Sequence, residues 1–121
     1  MNNEQRAEAI IQKYGFDFPS IPKEEIIDLI QAEIDDFQPG SSEYIRVLCG
    51  YLYCIGDGGD AELIRQAKYD INFDVGCMID IEWIDSLEGT TDADYTIRPR
   101  DEIIAEFVSY YQDFEADDWE C

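Results

Sequence analysis

Apolar residues recur at spacings of three and four along most of this chain, the period of a helix that buries one face. Ala7, Ile10, Ile11 and Tyr14 make the first such stripe, which predicts a helix from Asn2 to Tyr14 ended by Gly15. Phe16 to Ile21 contains Pro19 and reads as a connection. A second helix is expected from Pro22 to Phe37, with Ser20 as its cap, Glu24 and Glu25 at its positive end, and Ile26, Ile27, Ile30 and Ile34 inward. Pro39 and Gly40 stop it, and Ser41 or Ser42 caps a third, from Glu43 to Ile55. That third helix is apolar around much of its circumference, with Ile45, Leu48, Cys49, Leu52, Ile55 and three tyrosines, which predicts a central position.

After the turn Gly56-Asp57-Gly58-Gly59, Asp60 is expected to cap a fourth helix reaching Tyr69, with Leu63, Ile64 and Ala67 inward. Asn72 to Asp74 breaks the chain. Asp74 then caps a fifth helix from Val75 to Leu87, with Cys77, Met78, Ile81 and Ile84 expected inside and Ile79 and Trp83 forming a second apolar line. Glu88 to Thr96 is a polar loop, and Pro99 opens a last helix to Phe114, lined by Ile103, Ile104, Phe107, Val108 and Tyr111. Parts of Tyr69–Met78 alternate as a strand would, but the four-residue spacings elsewhere favour helix. The expected architecture is all-α: one compact helical domain over residues 1–121, of about six helices in antiparallel pairs, with an acidic tail over 113–121. Pro22-Lys23-Glu24-Glu25-Ile26-Ile27 is echoed by Pro99-Arg100-Asp101-Glu102-Ile103-Ile104, a pattern that also suits any helix start.

Charge changes the picture most. Asp and Glu number 29 against 8 Lys and Arg, a formal net charge of −21. Such a field repels nucleic-acid phosphates and anionic lipid and attracts basic protein surfaces. Direct nucleic-acid and membrane binding are therefore not expected, whereas a basic protein partner is. Acidity that serves solubility alone is the plain alternative.

Candidate chemistry is sparse. The chain has no His, so nucleophile–imidazole pairs are absent and no enzyme is expected. Acid pairs such as Asp35-Asp36 and Asp92 with Asp94 arise readily among so many carboxylates. Calcium loops starting at Asp57 or Asp92 fail at their twelfth positions, Lys68 and Ile103, where a bidentate Glu belongs. The Gly56–Gly59 turn lacks the Lys and hydroxyl of a phosphate loop. Cys49, Cys54 and Cys77 are expected as small buried apolar residues, and Cys121 is terminal. No metal or cofactor is expected. Met1 to Glu8 is mostly polar, so no secretory signal is read there and a reducing cytoplasm is the expected location.

Two resemblances add to this. Leu52-Tyr53-Cys54-Ile55-Gly56-Asp57, followed by Ala61, Leu63, Ile64, Ala67 and the turn Asp74-Val75, resembles a HEAT-type helical repeat over Gly50–Gly89, although Gly76 stands where that family usually has a basic residue. In size, acidity and the segment Ile71–Asp80, the chain resembles small immunity proteins of bacterial toxin systems, contact-dependent inhibition among them. That resemblance implies binding and neutralising a cognate toxin domain; a DNA-mimic or adaptor of another inhibitor system is the alternative. The turn acids Asp57, Asp60, Asp70 and Asp74 and the helix acids Asp80, Glu82 and Asp85 are expected along one edge, with Tyr69 and Trp83 placed to stack on a partner's guanidinium groups.

Overall fold

In a computed structural model describing residues 1–91 and 94–115, seven α-helices wrap a single apolar core, and no strand occurs among the described residues. The helices are α1 (Asn3–Tyr14), α2 (Lys23–Asp35), α3 (Glu43–Ile55), α4 (Ala61–Asp70), α5 (Phe73–Met78), α6 (Ile81–Glu88) and α7 (Arg100–Tyr111). Two 3-10 turns, Phe18–Ser20 and Gly58–Asp60, punctuate the chain. Of the expected acidic tail, residues 116–121 lie outside the described residues, as do residues 92 and 93 of the polar loop.

The N-terminal helices follow the apolar stripes. Asn2 starts α1 with a reciprocal box: its side chain accepts from the Gln5 N–H at 2.8 Å, and Gln5 accepts from the Asn2 N–H at 2.9 Å. Gly15, at φ 61°, takes the backbone out of the helix where an L side chain is strained. Ser20 does not cap α2. Its hydroxyl turns back to Asp17, and Pro22 occupies the N-cap position. Pro99 holds the same place before α7, and in both segments the first isoleucine is buried and the second half-buried.

The central position expected for α3 is found: it packs against α1, α2, α4, α5 and α6. Glu43 through Cys54 is buried apart from Arg46. Gly50 has a packing reason, since a Cβ there would overlap the Phe107 ring. The missing side chain is the notch into which α7 inserts Phe107. Phe107 then meets Tyr51 edge-on at 5.5 Å, Trp83 at 6.1 Å and Phe16 at 6.5 Å.

The expected fifth helix is two helices, α5 and α6. Asn72, not Asp74, caps α5, accepting from the Val75 N–H at 2.9 Å. Ile79 is extended (φ −87°, ψ 122°), and the Asp80 side chain accepts from the Glu82 N–H at 2.9 Å to begin α6. Lys68 makes the break tolerable, because its ammonium donates to the Gly76 and Ile79 carbonyls that the end of α5 leaves unpaired. The break re-aims the side chains. Ile79, Trp83 and Ile84 are buried, whereas Cys77, Met78 and Ile81, expected inside, are exposed. Asp60 is likewise corrected: its carboxylate accepts from the Asp57 N–H at 2.8 Å, closing the 3-10 turn instead of capping α4.

Candidate functional site

The basic residues set the electrostatics of the surface. Each of the eight is committed to a partner within the chain. Arg6 forks onto both oxygens of buried Glu33 at 2.8 and 3.0 Å and lies over the Tyr44 ring. Lys13 is 3.8 Å from Glu25, and Lys23 bridges to Asp60 at 3.1 Å and Asp57 at 3.9 Å. Arg46 sits over the Tyr110 ring and donates to the Met78 carbonyl and the Tyr111 hydroxyl. Arg65 joins Glu62 and Glu88, and Arg98 joins Glu82 and Glu106. Arg100 donates to the carbonyls of Tyr53 and Gly56, at the C-terminal end of α3 where a cation also complements the helix dipole. Lys68 closes α5 as described. The surplus carboxylates therefore dominate what faces outward.

The nine residues expected to form an acidic edge separate into three groups. Trp83 is 2% exposed and stacks on Tyr53 at 6.4 Å, so it belongs to the core and is not available to a partner. Glu82 and Asp85 are also buried. Arg98 donates its backbone N–H, Nε and Nη2 to Glu82 at 3.0, 3.0 and 2.6 Å, and these bonds hold the Glu82 carboxyl below the usual range. Asp85 accepts from the Tyr95 hydroxyl at 2.7 Å; burial and that carboxylate push the Tyr95 phenol up to about 12. These acids orient the chain's own loop: Glu82 to Asp85 are four consecutive buried residues of α6, because the chain returning through Tyr95 and Arg98 bonds to the acids on that face. Asp57 and Asp60 form a second group, held by Lys23 at the end of α3.

The third group does present itself. Tyr69 is 61% exposed, Asp70 and Asp74 are exposed, and Asp80 is half-buried as the α6 cap. No ion pair joins Asp70 or Asp74 among the described residues. Tyr69 stands between two depressions. One, of about 410 Å³, is lined by Lys68, Asn72, Phe73, Gly76 and Cys77; the other, of about 470 Å³, by Arg65, Ile81, Asp85 and Glu88 with Thr90 and Thr91. Phe73, unassigned by the sequence reading, is 83% exposed. Its signal in the sequence is its setting: it lies between Asn72 and Asp74, off the stripe begun by Val75.

The thiols differ in the same way. Burial raises Cys49 and Cys54, the latter to about 12, so neither is a ready thiolate, while Cys77 is exposed at the first depression. Among the described residues, no three metal-ligating side chains converge and no helix is long and apolar enough to cross a membrane. Comparison with known proteins finds no matching family model, no matching curated protein and no matching solved structure.

Proposed function

We propose that the protein acts by binding, as an immunity protein that neutralises a cognate basic toxin domain in the cytoplasm without catalysing a reaction. One observation carries this reading: all eight cations have partners inside the chain, in a chain with 29 acids, so the surplus carboxylates dominate the surface of the described residues. Such a surface speeds encounter with a basic protein and disfavours wrong partners. The HEAT-type resemblance belongs to the same proposal. Gly50–Gly89 spans α3 to α6, and stacked helix pairs commonly offer one side as a binding surface. Exposed aromatic residues beside the acids favour a protein partner over simple imitation of a phosphate path, which has no use for Phe73.

The test is co-production with the product of the neighbouring gene, where the reading places the toxin. The expected result is a complex stable to gel filtration and survival of cells that otherwise die. Absence of both a complex and protection would reject the immunity reading.

A further inference from the structure

Phe73 is the side chain least explained by the fold. Exposing a phenylalanine forgoes the stabilisation its burial would bring, and Phe73 is 83% exposed while Val75, two residues on, is fully buried. Tyr69, one turn earlier in space on α4, is exposed as well. Between them lies the 410 Å³ depression, floored by the backbone at Gly76 and by Cys77. Gly76 lets α5 approach the end of α4 closely: a Cβ there would stand 3.0 Å from the Lys68 carbonyl. Lys68, the cation in the wall, is half-buried and committed within the fold: its ammonium is bonded to the Gly76 and Ile79 carbonyls and lies 5.5 Å from the Tyr69 ring, and burial lowers its pKa. The polar rim is supplied by Asp70 and Asp74, which are exposed and join no ion pair among the described residues.

From this juxtaposition we infer that the α4–α5 corner is the seat for a basic segment of a partner protein, an apolar side chain entering between Tyr69 and Phe73 while flanking Arg or Lys residues meet Asp70 and Asp74. The inference rests on the binding function proposed above and names its surface. Charge decides the occupant. A second copy of this chain would bring another −21 onto an acidic rim, and the chain's own residues 113–121 carry five acids, so both are repelled where a basic segment is attracted. Carboxylates bond guanidinium groups bidentately, and aromatic anchors in a desolvated pocket supply most of the energy at interfaces.

The test uses the full chain with Cys121→Ser and two synthetic peptides of equal charge. One is amphipathic, with Arg on the polar face and Leu on the other; its companion has each Leu replaced by Ser. Affinity is read by fluorescence anisotropy, and cover over the depression by the rate of Cys77 alkylation, Cys49 and Cys54 being buried. The Leu peptide is expected to bind about tenfold or more tightly than the Ser peptide and to protect Cys77, and Phe73→Ala and Tyr69→Ala should each remove about tenfold of that affinity. Reversal of Asp70 and Asp74 to Lys should weaken binding more than reversal of Glu4 and Glu8 on α1, which changes net charge equally. Equal binding of the two peptides, or equal effects of the two reversals, overturns the seat and leaves binding by the overall acidic field intact. No measurable binding of either peptide also overturns the seat, whereas the immunity reading stands or falls on the co-production test. Self-association in sedimentation that Phe73→Ala abolishes assigns the corner to a second copy and also overturns the proposal.

Discussion

Two groups of aromatic side chains divide the molecule. Around α3, Tyr51, Tyr53, Trp83, Phe107 and Tyr111 are buried and meet one another at 5.0–6.4 Å. The tyrosine hydroxyls are spoken for: Tyr51 donates to the Gly15 carbonyl, Tyr53 pairs with Ser86, and Tyr111 donates to Glu43 at 2.5 Å. At the α4–α5 corner, Tyr69 and Phe73 stand in solvent beside unpaired acids. The same residue types serve stability in one place and are withheld from it in the other. What separates them is where the cations went. Arg46 lies over the Trp83 and Tyr111 rings and Arg100 over Tyr53, and Arg98 and Arg100 fasten the start of α7 to α6 and α3. At the corner, the single cation, Lys68, closes a helix end 5.5 Å from the Tyr69 ring and makes no ion pair with Asp70 or Asp74 among the described residues.

Substitution should separate the two groups most sharply at Phe107. Phe107→Ala empties the Gly50 notch and should cost about 3–5 kcal/mol, read as a lower urea midpoint. Gly50→Ala attacks the same contact from the other side and should cost about 1–3 kcal/mol by overpacking. Phe107→Ala with unchanged stability would show that α7 is not anchored by this ring.

Arg98→Ala comes next, at about 1–2 kcal/mol, the lower part of the range for charged hydrogen bonds because Arg98 is 33% exposed. It also carries a pH signature. Arg98 depresses the folded-state pKa of both Glu82 and Glu106. Their contribution is therefore present above the unfolded value of about 4.3 and is lost as pH falls through the folded values. The stability difference between wild type and variant should be constant near neutrality and shrink below about pH 4.3. A difference that grows on acidification would contradict the pairing.

Added salt should act more gently and on the surface as a whole. Screening relieves the mutual repulsion of a −21 protein, so the melting temperature should rise with moderate salt. A fall would show that the ion pairs made by the eight cations outweigh the surplus acids. The smallest effect on stability belongs to the corner: Phe73→Ala should change unfolding free energy by no more than about 0.5 kcal/mol. A loss comparable to that of Phe107→Ala would place Phe73 with the inner group and erase the distinction.

The amino-acid sequence by itself determined the helical class, the ends of α1 at Gly15 and α3 at Ile55, the central place of α3 and the outward acidity. These follow from local periodicity, breakers and composition, which need no knowledge of neighbours. Tertiary structure decided the rest. Trp83 and Ile79 lie four residues apart and so read as a line on either face; whether that line is core depends on the break at Ile79–Asp80, which depends on Lys68 reaching across from α4. Glu82 and Asp85 look like free helix acids in the sequence, yet Arg98 and Tyr95, ten or more residues later, consume them. Gly50 in mid-helix reads as a cost until Phe107 fills its notch from the far end of the chain. Phe73 is exposed because α5 starts from an Asn72 cap that directs Val75 inward and leaves its neighbour out. In each case the sequence specified a side chain's chemistry, and a partner distant along the chain specified whether that chemistry was spent inside the fold or left at its surface.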